Sequence, residues 1–303
     1  MKLTILGCHS ATPRASAHPT SQILEIKNHT FLIDCGEGTQ VQLRKYKVKF
    51  SKIKHIFISH LHGDHVFGLI GLISTFRLLQ RETEINVYGP KGIKEFIVTQ
   101  LRLSESHSGY PIKFHELSSK KSELIFEDKK VEVYTIPLKH RIYTNGFLFK
   151  EKLGERKLNM STISNYPEIE ICDYQNLKNG KDFKLQNGEL IANELLTFEP
   201  SKPLSYAFCS DTAYSESIVP IIKNTDLLYH EATFLNDKID LAKTTGHSTA
   251  KQAATIAKKG NVGQLVIGHY SNRYKSKDDF LIEAEAVFSN TQLAEEGEIF
   301  EIN

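Results

Sequence analysis

The sequence predicts an α/β fold whose functional residues gather at one edge of a sheet. Apolar segments of strand length alternate with segments of helical period along most of the chain, and polar residues collect where the strands end. In such folds the loops after the strands meet at one edge, where ligands bind. The densest of these loops is His60-Leu61-His62-Gly63-Asp64-His65, which precedes the helical segment Val66 to Leu79.

The composition is that of an ordinary globular protein of 303 residues, with 40% hydrophobic residues. The net charge of +2 argues neither for nor against a nucleic-acid partner. The four cysteines are widely spaced, with no Cys-X-X-Cys pair, which favours a reducing compartment over a disulfide framework. The apolar start of the chain is shorter than a signal peptide, and no segment approaches the length of a membrane span. We therefore expect a cytoplasmic protein with no membrane partner.

The amino-terminal half alternates strands and helices in the order that an α/β fold requires. We expect strands at 3–6, 22–26, 30–33, 55–59, 85–88, 112–116, 123–126, 131–136 and 145–149. Helices are expected from about residue 40, over 66–79 and over 93–103.

The segment 151–199 has a different character from the rest of the chain. It is polar, contains two Asn-Gly turn signals and lacks a sustained apolar period. We expect it to be an inserted arm within a single domain that spans 1–303. Strands at 205–209, 226–229, 264–268 and 298–302 and helices at 215–223, 250–259 and 277–288 follow it.

The hexapeptide at 60–65 concentrates metal-ligand chemistry in one loop. Three imidazoles and a carboxylate are the ligands that zinc and similar ions prefer. His60 and His62 are two residues apart at a strand end, so their side chains share a side, and Gly63 allows a tight bend before Asp64 and His65. A His-rich surface loop is the alternative, but 13 histidines in 303 residues would be spread more thinly.

Three later strand ends supply further candidate ligands, namely His140, Asp211 and His269. Seven ligands exceed the need of one tetrahedral ion and suit two. One ion would take His60, His62 and His140, and the other Asp64, His65 and His269, with the two oxygens of Asp211 as a bridge. Two such ions activate water and clamp an in-line displacement, which points to hydrolysis and fits a phosphodiester.

Each of these assignments has a structural alternative. A lone histidine at a strand end is usually a packed or surface residue. The assignment of His140 and His269 as metal ligands therefore depends on their lying close to the hexapeptide. Asp211 can equally be a helix N-cap. Asp34 can orient a ligating imidazole through its other ring nitrogen, or it can cap a turn.

A basic segment lies between Arg44 and Lys54. It contains six basic residues and no acidic one, interleaved with Tyr46 and Phe50. Basic and aromatic residues in this pattern can hold phosphates and bases. A solvated helix end with its following turn is the alternative.

Seven motifs, taken in chain order, resemble those of the ribonuclease Z branch of the metallo-β-lactamase superfamily. They are DCGEGTQ (34–40), ISHLHGDHVFGLIGLI (58–73), VYGPKGIKEF (87–96), SDT (210–212), HEATF (230–234), HST (247–249) and HYSNRY (269–274). The whole superfamily shares the hexapeptide, whereas the pair HEAT and HST is specific to this branch. The resemblance implies an αββα sandwich of two mixed sheets with a site for two zinc ions per subunit.

The resemblance also implies roles for individual residues. Asp64 is expected to accept a proton from the attacking water, in addition to binding metal. His247 is expected to act as the general acid, oriented by Glu231. Ser271 and Arg273 match a region near the scissile phosphate, where a guanidinium can bind two oxygens.

The implied reaction is removal of the 3′ trailer of precursor tRNA, which leaves a tRNA 3′-OH and a trailer 5′-phosphate. The implied assembly is a homodimer whose arm, with Lys178 and Lys181, reaches the body of the tRNA; no other protein partner is expected. The arm departs from the family pattern, since 165–178 contains a lone proline in place of a Gly-Pro-rich tip.

Two other functions compete with this one. A hydrolase of a small ester, sulfate or cyclic phosphodiester would have no use for the arm or for the basic segment. A non-catalytic RNA-binding relative would be expected to have lost ligands, whereas all seven are present here.

Overall fold

The computed structural model describes residues 1–303. The chain forms two compact units: a large one made of residues 1–150 and 204–303, and a small one made of residues 151–203. Elements are numbered along the whole chain.

The large unit contains two seven-stranded sheets. The strands of the first sheet are β1 (Lys2–Gly7), β2 (Ser21–Ile26), β3 (His29–Ile33), β4 (Ile53–Phe57), β5 (Ile85–Pro90), β6 (Ile112–Leu117) and β18 (Ile299–Glu301). Those of the second are β7 (Leu124–Glu127), β8 (Val131–Pro137), β9 (Asn145–Glu151), β14 (Ser205–Cys209), β15 (Leu227–Glu231), β16 (Gln264–Gly268) and β17 (Thr291–Leu293). The orders are β18-β1-β2-β3-β4-β5-β6 and β17-β16-β15-β14-β9-β8-β7. Both sheets mix parallel and antiparallel pairs, so the expected α/β fold with two mixed sheets is confirmed.

Helices cover the outer faces of the two sheets. They are α1 (Thr39–Lys45), α2 (Gly63–Leu78), α3 (Ile93–Leu103), α7 (Ile239–Thr245), α8 (Ala250–Gly260) and α9 (Asp278–Glu285). The first three pack on the first sheet, while α8 and α9 pack on the second. The buried positions of α2 recur at the helical period, as the sequence predicts.

Alternation along the strands separates the two faces of each sheet. In β3, Phe31 and Ile33 enter the core between the sheets, whereas Leu32 joins the core under α1–α3. The core between the sheets is rich in aromatic rings, and Phe57 of the first sheet lies 5.4 Å from Phe147 of the second, measured between ring centroids. Such edge-on and tilted contacts anchor one sheet against the other.

Two expectations about helices in this unit need correction, and the strand β17 was not expected. The helix expected over 215–223 is only a short 3₁₀ turn, Glu216–Ile218, followed by irregular turns. Pro220 explains the difference, because a proline inside a helix removes a backbone donor and clashes with the preceding turn. The helix α7, between the HEAT and HST motifs, was not expected.

The small unit has its own apolar cluster. Its elements are β10 (Lys157–Leu158), α4 (Met160–Ile163), α5 (Tyr174–Lys178), β11 (Phe183–Lys184), β12 (Leu190–Ile191), α6 (Asn193–Leu196) and β13 (Thr197–Phe198). Ile163, Leu177 and Leu196 are among its buried residues. The predicted role of this segment as a substrate-binding arm stays a prediction.

No helix in the structure combines the length and the apolar character that crossing a bilayer requires.

Candidate metal centre and catalytic site

The candidate site lies where strands of both sheets end. Asp34 follows β3, the hexapeptide follows β4, and Asp211 and His269 follow β14 and β16. Asp34, Asp211 and His269 all adopt left-handed backbone conformations, with φ of 55°, 58° and 63°. Non-glycine residues avoid this region unless the surrounding structure compensates for the strain, and such residues concentrate at functional sites. Asp211 caps no helix, so that alternative is excluded.

The first cluster brings together His60, His62, His140 and Asp211. Nδ1 of His62 lies 3.0 Å from Nε2 of His60 and 3.3 Å from Nε2 of His140. Oδ2 of Asp211 lies 3.6 Å and 3.7 Å from the Nε2 atoms of His60 and His140. Three ring nitrogens and one carboxylate oxygen therefore converge on one point.

The second cluster contains Asp64, His65 and His269. Oδ2 of Asp64 is 3.4 Å from Nε2 of each imidazole. Oδ1 of Asp211 is 3.1 Å from Nε2 of His65 and 3.2 Å from Nε2 of His269. The two oxygens of Asp211 therefore face different clusters.

Four of the five candidate histidine ligands, all except His62, are oriented through their other ring nitrogens. His140 donates from Nδ1 to the carbonyl oxygen of Gly246 at 2.8 Å. His65 donates from Nδ1 to Oδ2 of Asp34 at 2.7 Å. Each bond engages Nδ1 and leaves Nε2 facing the site, which is the orientation of a metal-binding histidine.

The remaining two relays run through hydroxyl groups. Ser59 Oγ donates to Asp34 Oδ2 at 2.8 Å, and it lies 2.9 Å from Nδ1 of His60, from which it accepts. Thr233 Oγ1 donates to a carboxylate oxygen of Glu231 at 2.5 Å, and it lies 2.8 Å from Nδ1 of His269. A hydroxyl that already donates to a carboxylate can only accept from the imidazole, so both histidines keep a free Nε2.

Glu231 is fully buried beside His247. Its Oε1 lies 2.8 Å from Nδ1 of His247 and accepts the backbone N–H of Thr212 at 2.7 Å, while Oε2 accepts the backbone N–H of Ser248 at 3.1 Å. Burial lowers the pKa of His247, but the Glu231 carboxylate outweighs burial and raises that pKa to about 9. His247 therefore carries a proton at neutral pH and can donate it.

Neighbouring charged groups in the two clusters shift one another's pKa values. Burial lowers the pKa of His65, but the carboxylates of Asp211, Asp64 and Asp34 outweigh burial and raise that pKa well above its ordinary value. Burial, with His65 beside it, holds the pKa of His60 well below its ordinary value. Opposed shifts among adjacent buried groups are characteristic of functional sites.

The donor set fits bound metal ions. Nε2 of His65 is buried among carboxylate oxygens yet forms no hydrogen bond of acceptable geometry. A buried nitrogen without a partner is costly, and a cation between it and the carboxylates satisfies all of them. The fold and the two clusters therefore support a metal cofactor.

A cavity of about 420 Å³ opens over the site. Asp64, Asp211, His247 and His269 lie in its wall together with Ser271, Arg273 and Arg141. Two guanidinium groups beside the clusters make the cavity suitable for an anionic substrate.

Sequence reasoning missed several residues of this site. Thr233 and Ser59 lie inside the HEATF and ISHLHGDHVFGLIGLI motifs, but a hydroxyl side chain beside metal-binding residue types gives no signal of its own. Arg141 follows His140 directly but carries no motif of its own. The carbonyl of Gly246 has no side-chain signal at all. Lys178 and Lys181, predicted to bind substrate, lie in the small unit at and just after the end of α5.

Comparisons with known proteins identify the family and the fold of this chain. Ribonuclease Z of Bacteroides fragilis is 46% identical over 295 residues, which cover 97% of each chain. The crystal structure of human tRNase Z, short form, is 28% identical, covers 100% of each chain and superposes with a TM-score of 0.73. The metallo-β-lactamase fold protein YhfI of Bacillus subtilis, 19% identical, covers 99% of this chain and 98% of its own, with a TM-score of 0.70, and supports the fold.

Residues 1–162 also match the family model described as Anti-Pycsar protein Apyc1. The structural likeness to YhfI shows that the chain has the metallo-β-lactamase fold. The chain belongs to the family of the Apyc1 model through its first half, and through its near-full-length relatives it belongs to the ribonuclease Z family of hydrolytic endoribonucleases.

Proposed function

We propose that this protein is a zinc-dependent endoribonuclease that removes the 3′ trailer of precursor tRNA. The observation that carries the proposal is the Glu231–His247 pair beside seven converging candidate ligands. This pair and these ligands occur in a chain that aligns almost end to end with ribonuclease Z of Bacteroides fragilis. The product would be tRNA with a 3′-OH and a trailer with a 5′-phosphate.

The proposed ligands are those of the two clusters. His60, His62 and His140 would hold one zinc ion, and Asp64, His65 and His269 the other, with Asp211 shared between them. Bound ions of this kind supply Lewis-acid stabilisation of phosphate oxygens and a lower pKa for water. Asp34 would fix the rings of His65 and, through Ser59, of His60.

The chain's own residues would move the protons. Asp64 lines the cavity and would accept the proton that the attacking water loses. Burial raises the pKa of Asp64, but His65 and His269 outweigh burial and hold the pKa below its ordinary value, so it is ionised. His247, held by Glu231, would give its proton to the departing ribose 3′ oxygen. Ser271 and Arg273 would hold the scissile phosphate.

The exposed apolar surface of α1–α3 supports the proposed homodimer. Val41, Phe67, Leu78, Val98 and Leu103 are all exposed on these helices. The ring of Phe67 stacks on that of Phe96 in α3, with centroids 6.1 Å apart, and adjoining apolar side chains on a water-facing surface mark interaction sites. Light scattering on the purified protein should give twice the mass of the 34.4 kDa chain.

The deciding experiment is a cleavage assay on precursor tRNA that carries a trailer. The wild-type protein should cut near the discriminator nucleotide, and Asp64→Asn should lower kcat by at least about 10²-fold, because it removes a proton acceptor. Asp279→Asn, which neutralises an exposed aspartate, is the matched control and should leave the rate unchanged. Rapid hydrolysis of bis(p-nitrophenyl) phosphate without any cut in tRNA would instead favour a small-substrate phosphodiesterase.

Metal analysis tests the cofactor directly. Purified protein should contain about two zinc ions per chain, and His140→Ala should lose about one, because it removes a ligand from the first cluster only. Dialysis against a chelator should lower the melting temperature of the wild type, since bound metal stabilises the folded state. The exposed His107 provides a control variant, His107→Ala, which should keep the wild-type metal content. An equal metal content in the wild type and His140→Ala would contradict the assignment.

The general-acid role of His247 predicts a dependence on the leaving group. His247→Ala should slow cleavage of precursor tRNA by roughly 10²- to 10⁴-fold, because a ribose alkoxide needs a proton. Hydrolysis of bis(p-nitrophenyl) phosphate should fall far less, since nitrophenolate leaves without one. Equal losses on the two substrates, accompanied by loss of zinc, would show that His247 acts as a metal ligand instead.

The small unit is proposed to be the arm that contacts tRNA, with Lys178 and Lys181 on its surface. Lys150 and Ser205 face each other on antiparallel β9 and β14, so residues 151–203 can be replaced by a short Gly-Ser turn. This replacement should raise KM for precursor tRNA by about tenfold or more, because phosphate contacts are lost. Hydrolysis of bis(p-nitrophenyl) phosphate should stay near the wild-type rate. Equal losses on both substrates would assign the unit to the core.

A further inference from the structure

A basic cleft lies at the end of the large unit opposite the metal clusters. Its volume is about 680 Å³, and its wall contains Lys52 and Lys54 near the start of β4 and Lys129 and Lys130 in the turn between β7 and β8. These lysines come from segments of the two different sheets. The metal clusters follow the carboxyl end of β4, whereas this cleft lies at its amino end.

The lysines of the cleft are not neutralised by carboxylates. All four are exposed, and none forms an ion pair. The one acidic residue in the wall is Asp128, which binds His29 Nε2 at 2.8 Å and accepts the backbone N–H groups of Lys130 and Val131. The Asp128 carboxylate is therefore bound to His29 and to backbone N–H groups and not to a lysine side chain, and the cleft keeps an excess of positive charge.

The basic segment between Arg44 and Lys54 continues this surface. Its six basic side chains are all exposed. Lys52 also lines a neighbouring cleft of about 230 Å³ together with Lys47, Lys49 and Tyr46. Basic side chains over aromatic rings complete the pattern, since Arg44 lies 5.5 Å from the ring centroid of Phe50.

The arrangement suits an extended polyanion better than a single small anion. A small phosphate is usually enclosed by a few converging donors, whereas these charges are spread along an open surface. Lysine acts as a flexible point charge that follows a phosphate backbone without reading its sequence. His55 adds a polar group to the wall, and its buried Nδ1 has no hydrogen-bond partner.

We propose that this cleft and the basic segment bind the phosphate backbone of the precursor RNA at a distance from the bond that is cut. The inference rests on the proposed function, because it takes the RNA to be the substrate. A strand of five residues such as β4 spans about 17 Å, so the surface lies roughly 20 Å from the clusters. Duplex nucleic acid advances about 3 Å per base pair, so one substrate can reach both places.

The test compares two triple variants of the full-length protein. Lys54→Ala/Lys129→Ala/Lys130→Ala removes three charges from the cleft. Lys223→Ala/Lys251→Ala/Lys258→Ala removes three exposed lysines outside it and is the matched control. RNA binding is measured by filter retention over a range of salt concentrations, and cleavage of the same RNA and of bis(p-nitrophenyl) phosphate is measured separately.

The cleft variant should bind precursor tRNA about tenfold or more weakly at physiological salt. The slope of log Kd against log salt should fall by up to about three, one for each lost phosphate contact. Its kcat on RNA and its rate on the small ester should match the wild type, which also shows that it is folded. The control should behave as the wild type in every assay.

Two outcomes separate this inference from the function on which it rests. A cleft variant with the Kd and salt slope of the control would overturn the cleft proposal, whatever the enzyme cuts. A wild-type protein that binds the RNA through the cleft but does not cleave it would overturn the proposed function and leave the binding surface established.

Discussion

Two buried carboxylates, Asp34 and Glu231, hold the side chains on which the site depends. Asp34 accepts directly from His65 and, through the hydroxyl of Ser59, fixes His60. Glu231 accepts directly from His247 and, through Thr233, fixes the other cluster. A buried carboxylate without partners costs several kcal/mol, so each is stable only while all its donors are in place. The geometry of four imidazoles is thus tied to two charges that the fold must keep satisfied.

The same edge of the fold accepts local backbone strain. Asp34, Asp211 and His269 hold left-handed conformations that cost of order 1–3 kcal/mol each. In return, the chain turns immediately after a buried strand and directs the side chain across the edge. The aromatic core between the sheets keeps those strand ends in register. Close packing supports the turns too, because a Cβ on Gly68 would lie only 2.0 Å from the carbonyl oxygen of Gly36.

Chemistry and substrate binding occupy different ends of the same strands in this interpretation. The carboxyl ends of β3 and β4 lead to Asp34 and the hexapeptide, and the side chains of Asp34, His60, Asp64 and His65 are buried there. The amino end of β4 leads to the exposed Lys52 and Lys54, whose long side chains contribute charge without requiring a fixed geometry. Bond cleavage needs positions held within a fraction of an ångström, whereas electrostatic attraction to a backbone does not.

Local sequence determined most of the secondary-structure elements and the ligand-rich loop, because both follow from patterns that extend over only a few residues. The helical period after the hexapeptide and the alternation in β3 could be recognised within a few residues. The helix expected at 215–223 failed where Pro220 outweighed the apolar pattern. Only the tertiary structure decided that the two oxygens of Asp211 face different clusters, that Thr233 links Glu231 to His269, and that Lys129 joins Lys54 in one cleft. These contacts join residues far apart in the chain, and their geometry follows from how two sheets pack, which no local pattern encodes.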